Sequence, residues 1–263
     1  MLYNIIMYIY QAGIAIYSHF NEKVKKMWIG ERAAFGVLQK QVEPNAKYIW
    51  FHAASLGEFE QGRPLIEKIK KEYPNYKILL TFFSPSGYEV RKNYEQADIV
   101  TYLPIDTVAN AQRFLRIVRP VMAFFIKYEF WYNYLHILRH RNIPVYSVSS
   151  IFRPNGRQYA AVLKCFSHFF VQNDLSKSLL AKIGINNVTV VGDTRFDRVL
   201  QIKDNSKKLP LVDKFIGNQD VKLANGVTNS LHRVFVAGSS WLPDEEIFIK
   251  YFNEHNDWKL IIA

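Results

Sequence analysis

Cysteine is nearly absent: Cys165 is the only one in 263 residues. No internal disulfide framework is therefore available, and the usage fits a reducing compartment. Its apolar setting, Val162-Leu163-Lys164-Cys165-Phe166, predicts a core thiol. The chain also has no zinc-ligand spacing, no P-loop, no RNA-binding signature and no internal repeat. No metal site and no resident cofactor are expected. Acidic residues are scarce, 23 against 34 Lys and Arg, for a net charge of +11. That excess calls for an anionic partner: a nucleic acid, a phosphorylated substrate or an anionic membrane. No basic tract interleaved with exposed aromatics is present, which argues against nucleic acid. Hydrophobic residues make up 49% of the chain, enough to bury a substantial core, and the length suits one large or two small domains.

Residues 2–20 lack charge altogether, with no Asp, Glu, Lys or Arg. At about 1.5 Å per residue this run barely matches a bilayer core. No basic segment precedes it and no clear small-residue cleavage site ends it, which argues against a secretory signal. Lys23, Lys25, Lys26 and Arg32 come next, so by the positive-inside rule the remainder stays cytoplasmic. Tyr3, Tyr10 and Tyr17 recur at seven-residue spacing and share a face. Residues 1–22 are therefore expected to form a membrane-associated helix, either spanning or lying in the interface, with a helix docked onto the protein as the alternative.

The body alternates strand and helix. Short apolar runs at 47–54, 77–83, 98–103, 121–127, 144–149, 167–172 and 187–191 predict strands buried on both faces. Amphipathic segments near 59–72, 86–95, 108–118, 130–141, 157–164 and 175–183 lie between them. Ser84-Pro85 reads as a helix start, Asp174 precedes another, and Gly184 follows a helix end. This alternation predicts an α/β fold with a Rossmann-like, doubly wound parallel sheet over residues 23–202. Residues 203–232, rich in Lys, Asn and Asp, read as a connection with some short helix. A second unit opens at 233, passes through a helix near 244–254 and ends in the apolar run Trp258–Ala263. Two strands and one helix cannot build an independent core. Residues 233–263 thus read as the truncated start of a second Rossmann-like domain.

The richest segment is Tyr48-Ile49-Trp50-Phe51-His52-Ala53-Ala54-Ser55-Leu56-Gly57-Glu58-Phe59. An apolar run stops at small residues, a Gly-Glu step follows, and a helical pattern begins. That order describes a buried strand feeding a tight turn, the edge where ligands sit in open α/β sheets. Glu58 there is either a general base or a first-turn residue favoured by the helix dipole. His52, inside the strand, reads as structural or supporting.

This segment resembles the His-Ala-x-Ser-x-Gly-Glu run of the 3-deoxy-D-manno-octulosonic acid (Kdo) transferases. Further matches follow in order: Leu79-Leu80-Thr81-Phe82-Phe83-Ser84-Pro85-Ser86-Gly87, Tyr102-Leu103-Pro104-Ile105-Asp106, Tyr128-Glu129-Phe130-Trp131, Gly192-Asp193-Thr194-Arg195-Phe196-Asp197 and Ala237-Gly238-Ser239-Ser240-Trp241. The resemblance implies the GT-B arrangement, with residues 23–202 as the N-terminal, acceptor-binding domain and residues 233–263 as the start of the C-terminal donor domain. It implies transfer of Kdo from CMP-Kdo to a lipid A precursor, with inversion, at the cytoplasmic face of the inner membrane. The fragment alone is expected to be inactive. A different GT-B nucleotide-sugar enzyme, such as an epimerase-like relative, and a non-enzymatic basic protein are the alternatives.

The resemblance makes Glu58 the proposed base. A helix N-terminus lowers a carboxylate pKa and desolvation raises it, and the sequence leaves that balance open. Glu129 follows an apolar run and belongs at the same sheet edge; it either orients the acceptor or Glu58, or caps a helix. In the family an acidic residue precedes it by two, where this chain has Lys127. Trp131 reads as a sugar-stacking or, more simply, a core aromatic. Ser55 and Gly57 are candidate acceptor contacts, and Ser55 alternatively a buried turn serine. Arg153, Arg157 and Arg195 are candidate anion ligands, as are Gly238, Ser239 and Ser240 at a second helix N-terminus. For each of these the alternative is a solvated charge or a plain turn.

Overall fold

The computed structural model describes residues 2–154, 160–206, 208–216, 221–222, 228–229, 233–255 and 258–263. Two compact units divide at residues 202 and 203.

In the first unit, helices α1 (Leu2–Tyr17) and α2 (Glu22–Gln41) precede β1 (Lys47–Ala53), α3 (Leu56–Glu72), β2 (Tyr76–Phe82), α4 (Pro85–Arg91) and β3 (Ile99–Tyr102). Then come α5 (Val108–Val118), β4 (Met122–Ile126), α6 (Tyr132–His140), β5 (Val145–Ser150), α7 (Ala160–Leu163), β6 (His168–Val171), α8 (Asp174–Ala181), β7 (Val188–Val190) and α9 (Arg195–Asp204). The seven strands form one parallel sheet in the order β3-β2-β1-β4-β5-β6-β7. Strand order reverses between β1 and β4. That crevice is the topological switch point, where open α/β sheets bind ligands.

Alternation along β1 explains the two layers. Tyr48 and Trp50 enter one core with Leu38 of α2, Phe114 and Leu115 of α5 and Tyr134 of α6. Ile49, Phe51 and Ala53 enter the other with Phe59 and Ile66 of α3. Phe51 stacks on Phe124 of β4 at 4.8 Å, and Trp50 meets Phe114 at the same separation. A strand covered on both sides has no room for polar alternation, so it reads as a continuous apolar run.

Helix ends follow local chemistry. Ser84 caps α4, with Pro85 in its first turn. Asn173, not Asp174, caps α8, because its side chain accepts from Ser176 N; Asp174 is the first helical residue. Gly184 adopts φ +79°, a conformation that costs glycine least. The long helix α2 gives no pattern of alternating strand and helix, and its interior carries only sparse apolar contacts; Met27, Ala34, Phe35 and Leu38 seat it.

Helix α1 docks by its more polar stripe. Tyr3 donates to Asp106 Oδ2 at 2.7 Å, Asn4 Oδ1 accepts from Asn133 at 2.9 Å, and Met7 and Ile14 are buried. Ile5, Ile6, Ile9, Ile16 and Tyr17 are exposed. Among the described residues no helix is long and apolar enough to cross a membrane.

In the second unit, α10 (Pro210–Ile216) is followed by a short antiparallel pair, β8 (Val221–Lys222) and β9 (Thr228–Asn229). Then β10 (Arg233–Ala237), α11 (Leu242–Glu254) and β11 (Trp258–Ile262) form a parallel β-α-β unit.

Candidate active site at the β1–β4 switch point

Ser55 ends β1 and begins α3: its backbone is extended and its hydroxyl accepts from Glu58 N at 3.5 Å. Glu58 reaches back, and its Oε2 accepts from Ala54 N at 2.6 Å. This is a capping box displaced by one residue, so the turn serine is a helix cap. The same bond fixes the carboxylate at the carboxyl end of β1. Among the described residues no hydrogen bond engages its Oε1. Gly57 is exposed, and a Cβ there meets nothing within 4 Å, so the approach to the turn is open.

Glu129 follows β4 across the switch point. It does not cap α6, whose N-cap is Trp131. Asp106 takes the capping role instead, accepting from Asn133 N and Tyr134 N at 3.0 and 3.1 Å. Glu129 Oε2 accepts from Trp131 Nε1 at 2.7 Å and lies 3.2 Å from His52 Nε2. Trp131, half-buried, is thus a hydrogen-bond donor to the site as well as a packing aromatic. His52 is fully buried.

The balance at Glu58 is resolved in favour of desolvation. Burial pushes its pKa above the ordinary glutamate value, and the neighbouring Glu129 charge pushes it further. The Ala54 N–H, His52 and Lys127 pull the other way, without reversing the direction. A carboxyl held partly dehydrated beside a second carboxyl has the raised basicity a proton acceptor needs. Lys127, standing where the family has an acid, adopts φ +61°, and Ser149 at the end of β5 adopts φ +60°. Non-glycine residues in this region are uncommon and cluster at functional sites.

The other candidates are scattered. Arg153 is exposed beyond β5. Arg157 lies outside the described residues. Arg195, also exposed, pairs with Asp193 at 2.5 Å, and that guanidinium holds the Asp193 carboxyl below its ordinary value. In the second unit Gly238 and Ser239 are exposed, Ser239 adopts φ +58°, and Ser240 donates to Glu245 at 2.9 Å. Among the described residues no cluster of His, Cys, Asp and Glu suits a metal. A groove of about 770 Å³ lies against α3 and α9; its lining includes Phe124, Val148 and Phe170 and neither candidate carboxylate. Cys165 is buried, and burial pushes its thiol up.

From the sequence His52 reads as structural or supporting and Trp131 as a sugar-stacking or core aromatic, and Thr81 carries no role of its own. All three form hydrogen bonds leading to Glu129. The available signal was a polar residue near the carboxyl end of each of two adjacent apolar strands, His52 in β1 and Thr81 in β2, which pair directly.

Comparison with known proteins bears on this site. A 3-deoxy-D-manno-octulosonic acid transferase from Haemophilus influenzae is 24% identical over 220 residues, 79% of this chain and 48% of its own. A bifunctional glycosyltransferase/methyltransferase from Fusobacterium nucleatum is 24% identical over 277 aligned positions, 100% of this chain and 40% of its own. The chain spans about half the length of the curated relatives it matches. The solved structure of UDP-GlcNAc 2-epimerase from Neisseria meningitidis, bound to UDP-GlcNAc, superposes with a TM-score of 0.55 at 13% identity, covering 82% of this chain and 65% of that one. That likeness establishes the fold, a Rossmann-like domain of the GT-B type. The sequence-family model described as 3-Deoxy-D-manno-octulosonic-acid transferase (kdotransferase) matches residues 29–198, which contain both carboxylates and the whole switch point. The chain therefore belongs to the 3-deoxy-D-manno-octulosonic-acid transferase family.

Proposed function

We propose that the whole protein is a GT-B enzyme acting on a nucleotide sugar, and that the reaction is transfer of Kdo from CMP-Kdo to a lipid A precursor with inversion. The observation that carries this reading is the pair of carboxylates on the two sides of the switch point, within the family match. Glu58 Oε1 takes the proton from the acceptor hydroxyl as that oxygen attacks the anomeric carbon. The bond from that carbon to the CMP phosphate oxygen breaks on the opposite face, and the electron pair leaves with the phosphate. Glu129 orients the acceptor and, through its charge, keeps Glu58 basic. Positive charge suits the departing CMP; Arg153, Arg157 and Arg195 are assigned to anionic groups of the substrates, and Gly238, Ser239 and Ser240 to the donor. Ser55 and Gly57 shape the acceptor approach.

The exposed apolar face of α1, followed by Lys23, Lys25 and Lys26, suits an anionic membrane surface. This supports a location on the cytoplasmic face of the inner membrane, beside a lipid acceptor. Replacing Ile5, Ile9 and Ile16 together with Gln is expected to weaken partition onto anionic vesicles while leaving the fold intact. Equal partition of both proteins counts against attachment through α1.

The structural likeness to UDP-GlcNAc 2-epimerases favours a second reading, in which the enzyme acts on a different nucleotide sugar. Incubating the whole protein with CMP-Kdo or with UDP-GlcNAc, each with and without a lipid A precursor, separates the two. Transfer of Kdo only when both CMP-Kdo and the lipid are present supports the transferase. Conversion of UDP-GlcNAc without acceptor supports the second reading.

A further inference from the structure

A buried hydrogen-bonded chain runs from the core to Glu129, and the chemistry above does not use it. Trp50 Nε1 donates to Thr81 Oγ1 at 2.8 Å. That hydroxyl lies 2.9 Å from His52 Nδ1. On the other side of the ring, His52 Nε2 lies 3.2 Å from Glu129 Oε2 and 3.1 Å from Trp131 Nε1. An indole N–H only donates, so of these two neighbours only the carboxylate can accept a proton from Nε2. A bare Nε2 would aim its lone pair at a carboxylate oxygen. A protonated Nε2 turns that contact into a hydrogen bond. The Thr81 hydroxyl, having accepted from Trp50, still has its own hydrogen, for which His52 Nδ1 and the Phe51 carbonyl at 3.3 Å are acceptors in reach, and a protonated Nδ1 has the Thr81 carbonyl at 3.2 Å to donate to. The arrangement in which Trp50 donates to Thr81 and His52 Nε2 to Glu129, with Trp131 donating to the same oxygen, is thus satisfied whether or not Nδ1 carries a proton.

We propose that His52, seated against Thr81 and carrying a proton on Nε2, is the positioning residue that fixes Glu129 beside Glu58. The proposal rests on the reading of Glu58 and Glu129 as the reacting pair. With two N–H groups on Oε2, the carboxylate cannot rotate freely, and its Oε1, which no hydrogen bond among the described residues engages, keeps one direction. His52 is fully enclosed and so acts through Glu129 rather than on a substrate. This accounts for a histidine and a threonine paired across β1 and β2.

Two measurements test it. The first needs no substrate and uses this chain. Nitrogen-15 spectra of the imidazoles, with the His52 signals among the seven histidines identified by their loss in His52→Gln, read the tautomer directly. The expected result is a protonated Nε2, with both the His52 Nε2–H and the Trp131 indole N–H signals moving in Glu129→Gln. A proton on Nδ1 with Nε2 bare, or signals indifferent to Glu129→Gln, overturns the proposal. The second uses turnover by the whole protein. His52→Phe keeps a ring but removes the donor, and is expected to lower kcat about 10- to 100-fold with little change in KM, the scale of a lost hydrogen bond to a charged group. His52→Gln, whose amide reaches the Nε2 position, is expected to recover most of that loss. The double variant His52→Phe/Glu129→Gln should be no slower than Glu129→Gln alone. Additive losses overturn a role through Glu129. A protein inactive on CMP-Kdo but with the expected spectra removes the proposed function and leaves the positioning chain standing.

Discussion

The chain makes the same local move twice. At β1 an apolar strand ends in Ala53-Ala54-Ser55, and Glu58 in the first turn of α3 folds back onto a strand-end amide. At β10 the strand ends in Ala237-Gly238-Ser239-Ser240, and Asp244 in the first turn of α11 folds back onto Trp241 N at 3.1 Å. Surroundings separate them. Trp50 of β1 is 0% exposed, whereas Val236 of β10 is 60% exposed. The first turn sits in a seven-stranded sheet covered on both faces; the second belongs to a two-stranded one. A strand-turn-helix is written in a dozen residues, but burial is supplied by elements far away in sequence. Burial is what raises Glu58. A local motif therefore locates a carboxylate, and the packing around it decides whether that carboxylate can work as a base.

The sharpest way to break the comparison is at the two carboxylates. Glu58→Gln in the whole protein keeps the shape and removes the base, and kcat is expected to fall about 10²–10⁴-fold with substrate binding retained. Glu129→Gln is expected to be milder. Steady-state kinetics check both, and near-normal turnover by folded Glu58→Gln takes Glu58 out of the mechanism. Stability should divide the strands in the same sense. Trp50→Ala, at the centre of the covered sheet, is expected to cost about 3–5 kcal/mol. Val236→Ala, on the exposed strand, is expected to cost less than about 1 kcal/mol. Urea unfolding followed for each unit gives both values.

Burial acts on another carboxyl as well. Glu31 is 4% exposed, its Oε1 has no partner among the described groups, and burial pushes its pKa well above the ordinary value. Its folded form binds a proton more tightly than its unfolded form. The stability it lends is therefore fully present below the unfolded pKa of about 4.3 and is lost as pH rises through the higher folded value. Glu31→Gln is expected to leave Tm almost unchanged at acid pH and to raise it progressively toward neutral pH. A constant difference across that range contradicts the account. The smallest effect belongs to the exposed cap: Asp244→Ala is expected to cost about 1 kcal/mol or less.

Much of the first unit was legible in the sequence because each strand is an unbroken apolar run between turn residues. All seven predicted strands fall within a residue or two of their observed bounds. Helix α2 escaped notice because it lies outside the repeating strand-helix alternation and buries only a thin stripe. The placement of Glu58 and Glu129 after apolar strands was equally readable. Their position on either side of the switch point was not, since strand order depends on which helices cross which face. The same limit applies to motif residues. Asp106, in the Tyr102–Asp106 match, is fully buried and caps α6, and Ser84 caps α4, so parts of the family pattern hold the scaffold rather than the substrate. His52 and Thr81 show the reverse. From the sequence His52 reads as structural or supporting and Thr81 carries no role, and only the strand register brings the pair onto a candidate catalytic carboxylate.

The central claim is that packing, not the local turn, makes Glu58 a base, with Glu129 as its partner. Carbon-13 NMR titration of the Glu58 side-chain carboxyl, in the natural sequence and in Glu129→Gln, tests it most directly. The account predicts a midpoint above the ordinary glutamate range that moves down when the Glu129 charge is removed. An ordinary midpoint, unmoved by Glu129→Gln, would contradict it.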